Sequence, residues 1–108
     1  MKRKYELFIK DILENIEIIF QFTENMTYND FKKDTKTIYA VTRSLEIIGE
    51  AVNNIPEEIK QKNKEIPWRD IKNFRNIVIH QYWKIDYEAQ WQIIKQKLPE
   101  LKQKIKKI

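Results

Sequence analysis

The chain has no cysteine, which excludes a disulfide framework and any thiolate metal site. One glycine and three prolines in 108 residues are too few turn residues for a many-stranded fold. Few connections and long elements are therefore expected, most of them helices. No apolar run approaches the roughly 18 residues that span a bilayer, and the opening MKRKYELFIKDILEN is broken by charge before a signal-type segment develops. A soluble cytoplasmic protein without membrane association is the expectation. There is a single histidine, His80, no metal site or cofactor is expected, and nothing resembles a nucleotide-binding loop.

What is present is a mixture of apolar and charged residues. At 42% hydrophobic and 34% charged, the chain is globular rather than disordered. Its length suits one domain, residues 1–108, with its own core. The net charge of +5 points to an anionic partner such as nucleic acid. Seventeen of the 21 basic residues are lysine, however, and a lysine-rich solvated surface accounts for the same excess without a partner.

Apolar residues at 5, 8, 9, 12, 13, 16, 19 and 20 follow the spacing of one helical stripe and predict a first helix over about residues 3–24. NMTYNDF interrupts it, and Thr27 or Asn29 can accept from the free amides of the next helix. Phe31, Ile38, Val41, Leu45, Ile48 and Val52 mark a second long helix to about residue 53, ended by NNIPEE. Pro56 suits the first turn of a short helix through about Lys62. Beyond Pro67, the residues Trp68, Ile71, Phe74, Val78 and Ile79 fit a third main helix, closed by QYWKI. Asp86 suits the cap of the last one, in which Tyr87, Trp91, Ile94, Leu98, Leu101, Ile105 and Ile108 form a heptad-like seam. Pro99 should kink or divide that helix, because proline removes an amide donor and crowds the preceding turn. No alternating strand pattern of useful length competes. The expected fold is all-α, an up-and-down bundle of four to five helices.

The chemistry concentrates in residues 75–82, RNIVIHQY. Arginine is a permanently charged planar fork that matches two phosphate oxygens at once, and histidine exchanges a proton near neutral pH. Metal-free RNA cleavage needs this combination: the 2′-hydroxyl loses a proton, the 5′-oxygen gains one, and charge on the phosphoryl oxygens is stabilised. On an ideal helix Arg75 and His80 would diverge by roughly 140°, so the pair works best where the helix ends near His80. Two proton transfers call for two titratable groups, and one histidine supplies both only in a two-fold homodimer that joins two copies of His80 and Arg75 in one cleft. The plain alternative is a histidine capping a helix end, with Arg75 paired to Asp70 or Glu50 and Tyr82, Trp83 and Trp91 in the core.

Arg75, His80 and Tyr82 form the R-x4-H-x-Y pattern of the HEPN superfamily, and the chain more narrowly resembles the HepT-like toxins of the HepT–MntA toxin–antitoxin systems. Asn76 matches a polar residue frequent there. SLEIIGEAVNNIP at 44–56, IPWRDIKNFRNIVIHQYWKIDYEAQWQII at 66–94 and KLPELKQKI near the end agree with the family's segments in order. The resemblance implies a small all-α homodimer that is a metal-independent endoribonuclease toxin, with Arg75 and His80 cutting RNA. It implies as partner a minimal, MntA-like nucleotidyltransferase antitoxin, with which dimers could assemble further and which attaches AMP to the motif tyrosine, Tyr82. Such a group would add bulk and negative charge where the substrate phosphate sits. Relatives often carry glycine where this chain has Gln81, and glutamine resists the left-handed turn that glycine permits, which bears on how Tyr82 is presented.

Glu50, in the GEA segment, is assigned to orient Arg75 or His80 through a charge-assisted hydrogen bond; plain helix surface is the other reading. Gly49 lies inside a helix, where it costs about 1 kcal/mol relative to alanine, so close approach of another helix is expected there. Lysines 95, 97, 102, 104, 106 and 107 could guide RNA electrostatically but read first as a solvated face. Trp83 and Tyr87 could stack on bases but read first as core or interface residues. Two rival functions remain at this stage: a non-catalytic helical binding subunit of a nucleotidyltransferase complex, and a basic helical nucleic-acid binder without chemistry.

Overall fold

Helix α1 (Tyr5–Thr23) forms where the apolar stripe predicts it, and its residues Ile12, Ile16 and Ile19 are fully buried. It ends at Asn25, whose φ of 61° is the left-handed geometry that asparagine tolerates better than most residues. In this computed structural model, residues 4–74, 76, 79–80 and 84–108 are described, with the backbone alone at Ile79, His80 and Lys84. Helix α2 (Tyr28–Lys33) starts at a reciprocal cap. The Asp30 amide donates to Thr27 Oγ1 at 3.1 Å, and the Thr27 amide donates to Asp30 Oδ2 at 3.0 Å. Hydrogen bonding from Thr27 to the carboxylate, first through its backbone amide and then through its side chain, holds the Asp30 carboxyl below its ordinary range.

The second long helix divides at Asp34, where the sequence pattern shows no break. Asp34 accepts from the Thr37 amide at 3.1 Å and caps a separate helix α3 (Thr35–Asn53). Phe31 and Ile38 are seven residues apart, so the apolar stripe keeps its phase across the break and cannot report it. Along α3 the residues Ile38, Val41, Leu45, Ile48 and Val52 are buried, each stabilising the fold by about 1.5–3 kcal/mol relative to exposure. Helix α3 packs along α1 and is the spine of the molecule. A short helix α4 (Glu57–Lys62) follows Pro56 as expected and has no buried residue.

The third main helix is shorter than its periodicity suggests. Helix α5 (Trp68–Lys72) gives way to a turn at Asn73; Phe74 and Asn76 are again helical, and by Ile79 the chain is extended. Strand β1 (Ile79–His80) pairs antiparallel with β2 (Lys84–Ile85), in the register Ile79 to Ile85 and His80 to Lys84. Ile79 is a β-branched residue, which favours extended backbone; spacing alone counted it as helix.

Asp86 caps helix α6 (Tyr87–Gln92) as expected, accepting from the Ala89 amide at 3.0 Å. The expected disturbance by Pro99 takes a particular form. Residues Ile93–Lys97 make a π-helical turn in which the Leu98 amide donates to Ile93 O, five residues back, and helix α7 (Leu98–Ile105) then begins with Pro99 in its first turn. The wider turn relieves the crowding that a proline ring imposes on the carbonyl four residues before it. Beyond the two-residue ladder, the regular structure among the described residues is helical, and α7 packs back on α1. Among the described residues no helix is long and apolar enough to cross a membrane.

Candidate functional site

The segment that carries the motif is fastened at both ends to α3. Upstream, the C-terminal end of α5 lies against Gly49: a Cβ there would sit 3.2 Å from the Lys72 carbonyl oxygen and 3.6 Å from that of Ile71. The expected close approach is thus present, and its partner is backbone. Ile71 and Phe74 are buried on the same stretch, so the chain entering the motif is held by packing as well as by contact. Downstream, the fully buried Gln90 of α6 donates through Nε2 to Thr42 Oγ1, and that hydroxyl donates to Ile38 O at 2.8 Å. Between these anchors the ladder reverses the chain direction, pairing His80 with Lys84. The helix has therefore ended by His80, as two divergent motif residues require.

Arg75, Tyr82, Gln81 and Trp83, together with the side chain of His80, lie outside the described residues. Asn76 is exposed. Glu50 is also exposed, one residue beyond the contact at Gly49. Its carbonyl accepts from Asn54 Nδ2 at 2.8 Å, and its carboxylate makes no ion pair among the described residues. Trp91 is half-buried against Phe31, with ring centroids 5.2 Å apart, whereas Tyr87 is 42% exposed and so does not join the core. No cluster of three or more histidine, aspartate or glutamate side chains that could hold a metal is found among the described residues.

A feature that sequence reasoning missed lies on the approach to the motif. Helix α4, the following turn and helix α5 enclose an open concavity of about 750 Å³. Lys60, Lys64, Arg69 and Lys72 line it, against Glu57 and Asp70. Trp68 forms part of the wall, its indole Nε1 donating to Asn63 O at 3.1 Å. The signal was available in KQKNKEIPWRDIK, but these cations converge only once α4 folds back towards α5.

Residues 12–108 match the family described as Ribonuclease HepT-like. A Thermococcus cleftensis protein named "Probable ribonuclease HepT" is 44% identical over 108 residues, covering 100% of this chain and 98% of that one. Two Methanocaldococcus jannaschii proteins provisionally named as RNases are 46% identical over 98 residues (91% of this chain, 81% of theirs) and 42% identical over 107 residues (99% and 88%). No solved structure matches the chain.

Proposed function

Because the chain belongs to the ribonuclease HepT-like family, within the HEPN group its motif resembles, we propose that it is a metal-independent endoribonuclease, the toxin of a toxin–antitoxin pair. The observation that carries this reading is the ordered set IGEA, PWRDI and RNIVIHQY in a chain whose similar proteins are named as ribonucleases. Support from the fold is indirect: both flanks of the motif are fastened to α3, and the backbone leaves helical geometry before His80. Fixed flanks are what a site needs to hold reacting groups in register.

Two copies of the chain would meet so that two His80 imidazoles and two Arg75 guanidiniums face one cleft. The neutral imidazole takes the proton of the RNA 2′-hydroxyl as its oxygen bonds to phosphorus. The protonated imidazole of the second copy gives a proton to the departing 5′-oxygen as that P–O bond breaks. Arg75 binds the phosphoryl oxygens and offsets their growing charge. Asn76 and Glu50 are assigned to position these groups. An MntA-like nucleotidyltransferase antitoxin would silence the site by attaching AMP to Tyr82, placing negative charge where the scissile phosphate must lie.

The products test the chemistry. In the presence of a chelator, the protein should leave a 2′,3′-cyclic phosphate on one fragment and a 5′-hydroxyl on the other. A single 2′-deoxy nucleotide at the scissile position should abolish the cut. Products with a 5′-phosphate, or cleavage of the 2′-deoxy oligomer, would rule the reading out.

A further inference from the structure

The concavity between α4 and α5 has no part in the chemistry above, and its lining carries a net positive charge. Four cations line it against two carboxylates, and one of those carboxylates, Glu57, already accepts from Gln61 Nε2 at 2.9 Å. Four cations elsewhere on the surface each have a carboxylate partner. Lys10 faces Glu14, Arg43 faces Glu46, Lys102 faces Glu17 and Lys104 faces Glu100. Lys60, Lys64, Arg69 and Lys72 make no such pair among the described residues. Like charges gathered without partners raise the local potential and favour a polyanion.

The surface also has direction. Lys72 is the last residue of α5, three positions before Arg75, and its carbonyl is the atom set against Gly49. The concavity therefore opens beside the chain that leads into the motif. Its volume of about 750 Å³ matches a short run of nucleotides rather than a duplex, within the range of about 300–1,000 Å³ typical of ligand sites. The half-buried Trp68, tethered by its indole hydrogen bond, gives the wall an aromatic edge that the flanking lysines do not. Cationic grooves with aromatic walls are the usual means of holding single strands without reading their sequence.

We infer that the α4–α5 concavity is an exosite for single-stranded RNA, in which Lys60, Lys64, Arg69 and Lys72 bind the phosphates next to the scissile one. This rests on the ribonuclease reading for its biological meaning, but its test is a binding measurement that does not need cleavage. Binding of a fluorescent oligouridylate to the His80→Ala protein is followed by anisotropy across a salt series, with and without Lys60→Gln and Lys64→Gln together. Each single-strand phosphate contact contributes about 0.7 to the salt slope. The double variant should lose about 1.4 from the slope and bind roughly tenfold more weakly near 0.15 M salt.

A matched control, Lys106→Gln with Lys107→Gln, removes the same charge from the exposed tail and should leave the slope unchanged. In the cleavage-competent protein, the Lys60/Lys64 double variant should raise KM on long RNA and leave cleavage of a dinucleotide unaltered. An unchanged slope in the Lys60/Lys64 variant, an equal loss in the tail variant, or no RNA binding by either form would overturn the exosite. If the slope falls as expected but the parent protein leaves RNA intact, the exosite stands and the ribonuclease reading fails.

Discussion

Replacing Gly49 by alanine sets two effects of opposite sign against each other. In an exposed helix interior, glycine to alanine stabilises by about 1 kcal/mol. Here the added methyl would meet the Lys72 carbonyl oxygen at 3.2 Å and that of Ile71 at 3.6 Å, so α5 must retreat by a few tenths of an ångström. The obstacle is backbone, and it is stiff because Ile71 and Phe74 are both buried beside it. Forcing a methyl into a packed site costs about 1–3 kcal/mol. The balance is a net loss near 1 kcal/mol, or a fall in Tm of about 5 °C for a domain of this size. Thermal unfolding followed by circular dichroism reads it directly. A Gly49→Ala protein melting several degrees higher than the parent would show that α5 yields freely and that the motif is not anchored at this contact.

Other consequences follow from individual contacts. Asp34→Ala should lower stability by about 1 kcal/mol in urea titration, because the Thr37 amide loses its acceptor. Phe31→Ala, at a site with no exposure and against Trp91, should lose about 3–5 kcal/mol and shift the tryptophan emission of whatever remains folded. The Asp30 carboxyl titrates lower in the folded chain than in the unfolded one, so the stability it contributes is complete above the unfolded value of about 4. That stability is lost as pH falls through the lower folded value, and the acid limb of a stability–pH curve should flatten in Asp30→Asn. The particle mass by light scattering should be about twice 13.3 kDa, and a monomeric mass for a protein that still cuts RNA would remove the two-imidazole cleft.

Helical architecture was legible because the buried residues of α1 and α3 repeat at helical spacing and are the residues the stripe picks out. The caps at Thr27 and Asp86 were legible for a chemical reason, since their side chains accept from free amides. Three features escaped. Asp34 breaks a helix without shifting the phase of the stripe, so hydrophobic periodicity is blind to it. The change to extended backbone by Ile79 reflects β-branching, which apolar spacing does not register. The cations of the concavity are visible in KQKNKEIPWRDIK, but their convergence depends on how α4 returns towards α5, a tertiary fact. For the site, the motif and its order were readable from the sequence. What positions the segment, a backbone contact at Gly49 and the Gln90–Thr42 bond, was readable only in part: the lone glycine signalled a close approach, and nothing in EAQW marked Gln90 as an anchor.

The most direct measurement is the rate of RNA cleavage, in chelator, by the parent protein and by Arg75→Ala and His80→Ala proteins shown by circular dichroism to be folded. Loss of a positioned acid–base group typically costs about 10²–10⁴ in rate, so the parent should cut and the His80 variant should be slower by at least about a hundredfold, with the Arg75 variant similarly impaired. Equal rates from all three would place the chemistry elsewhere.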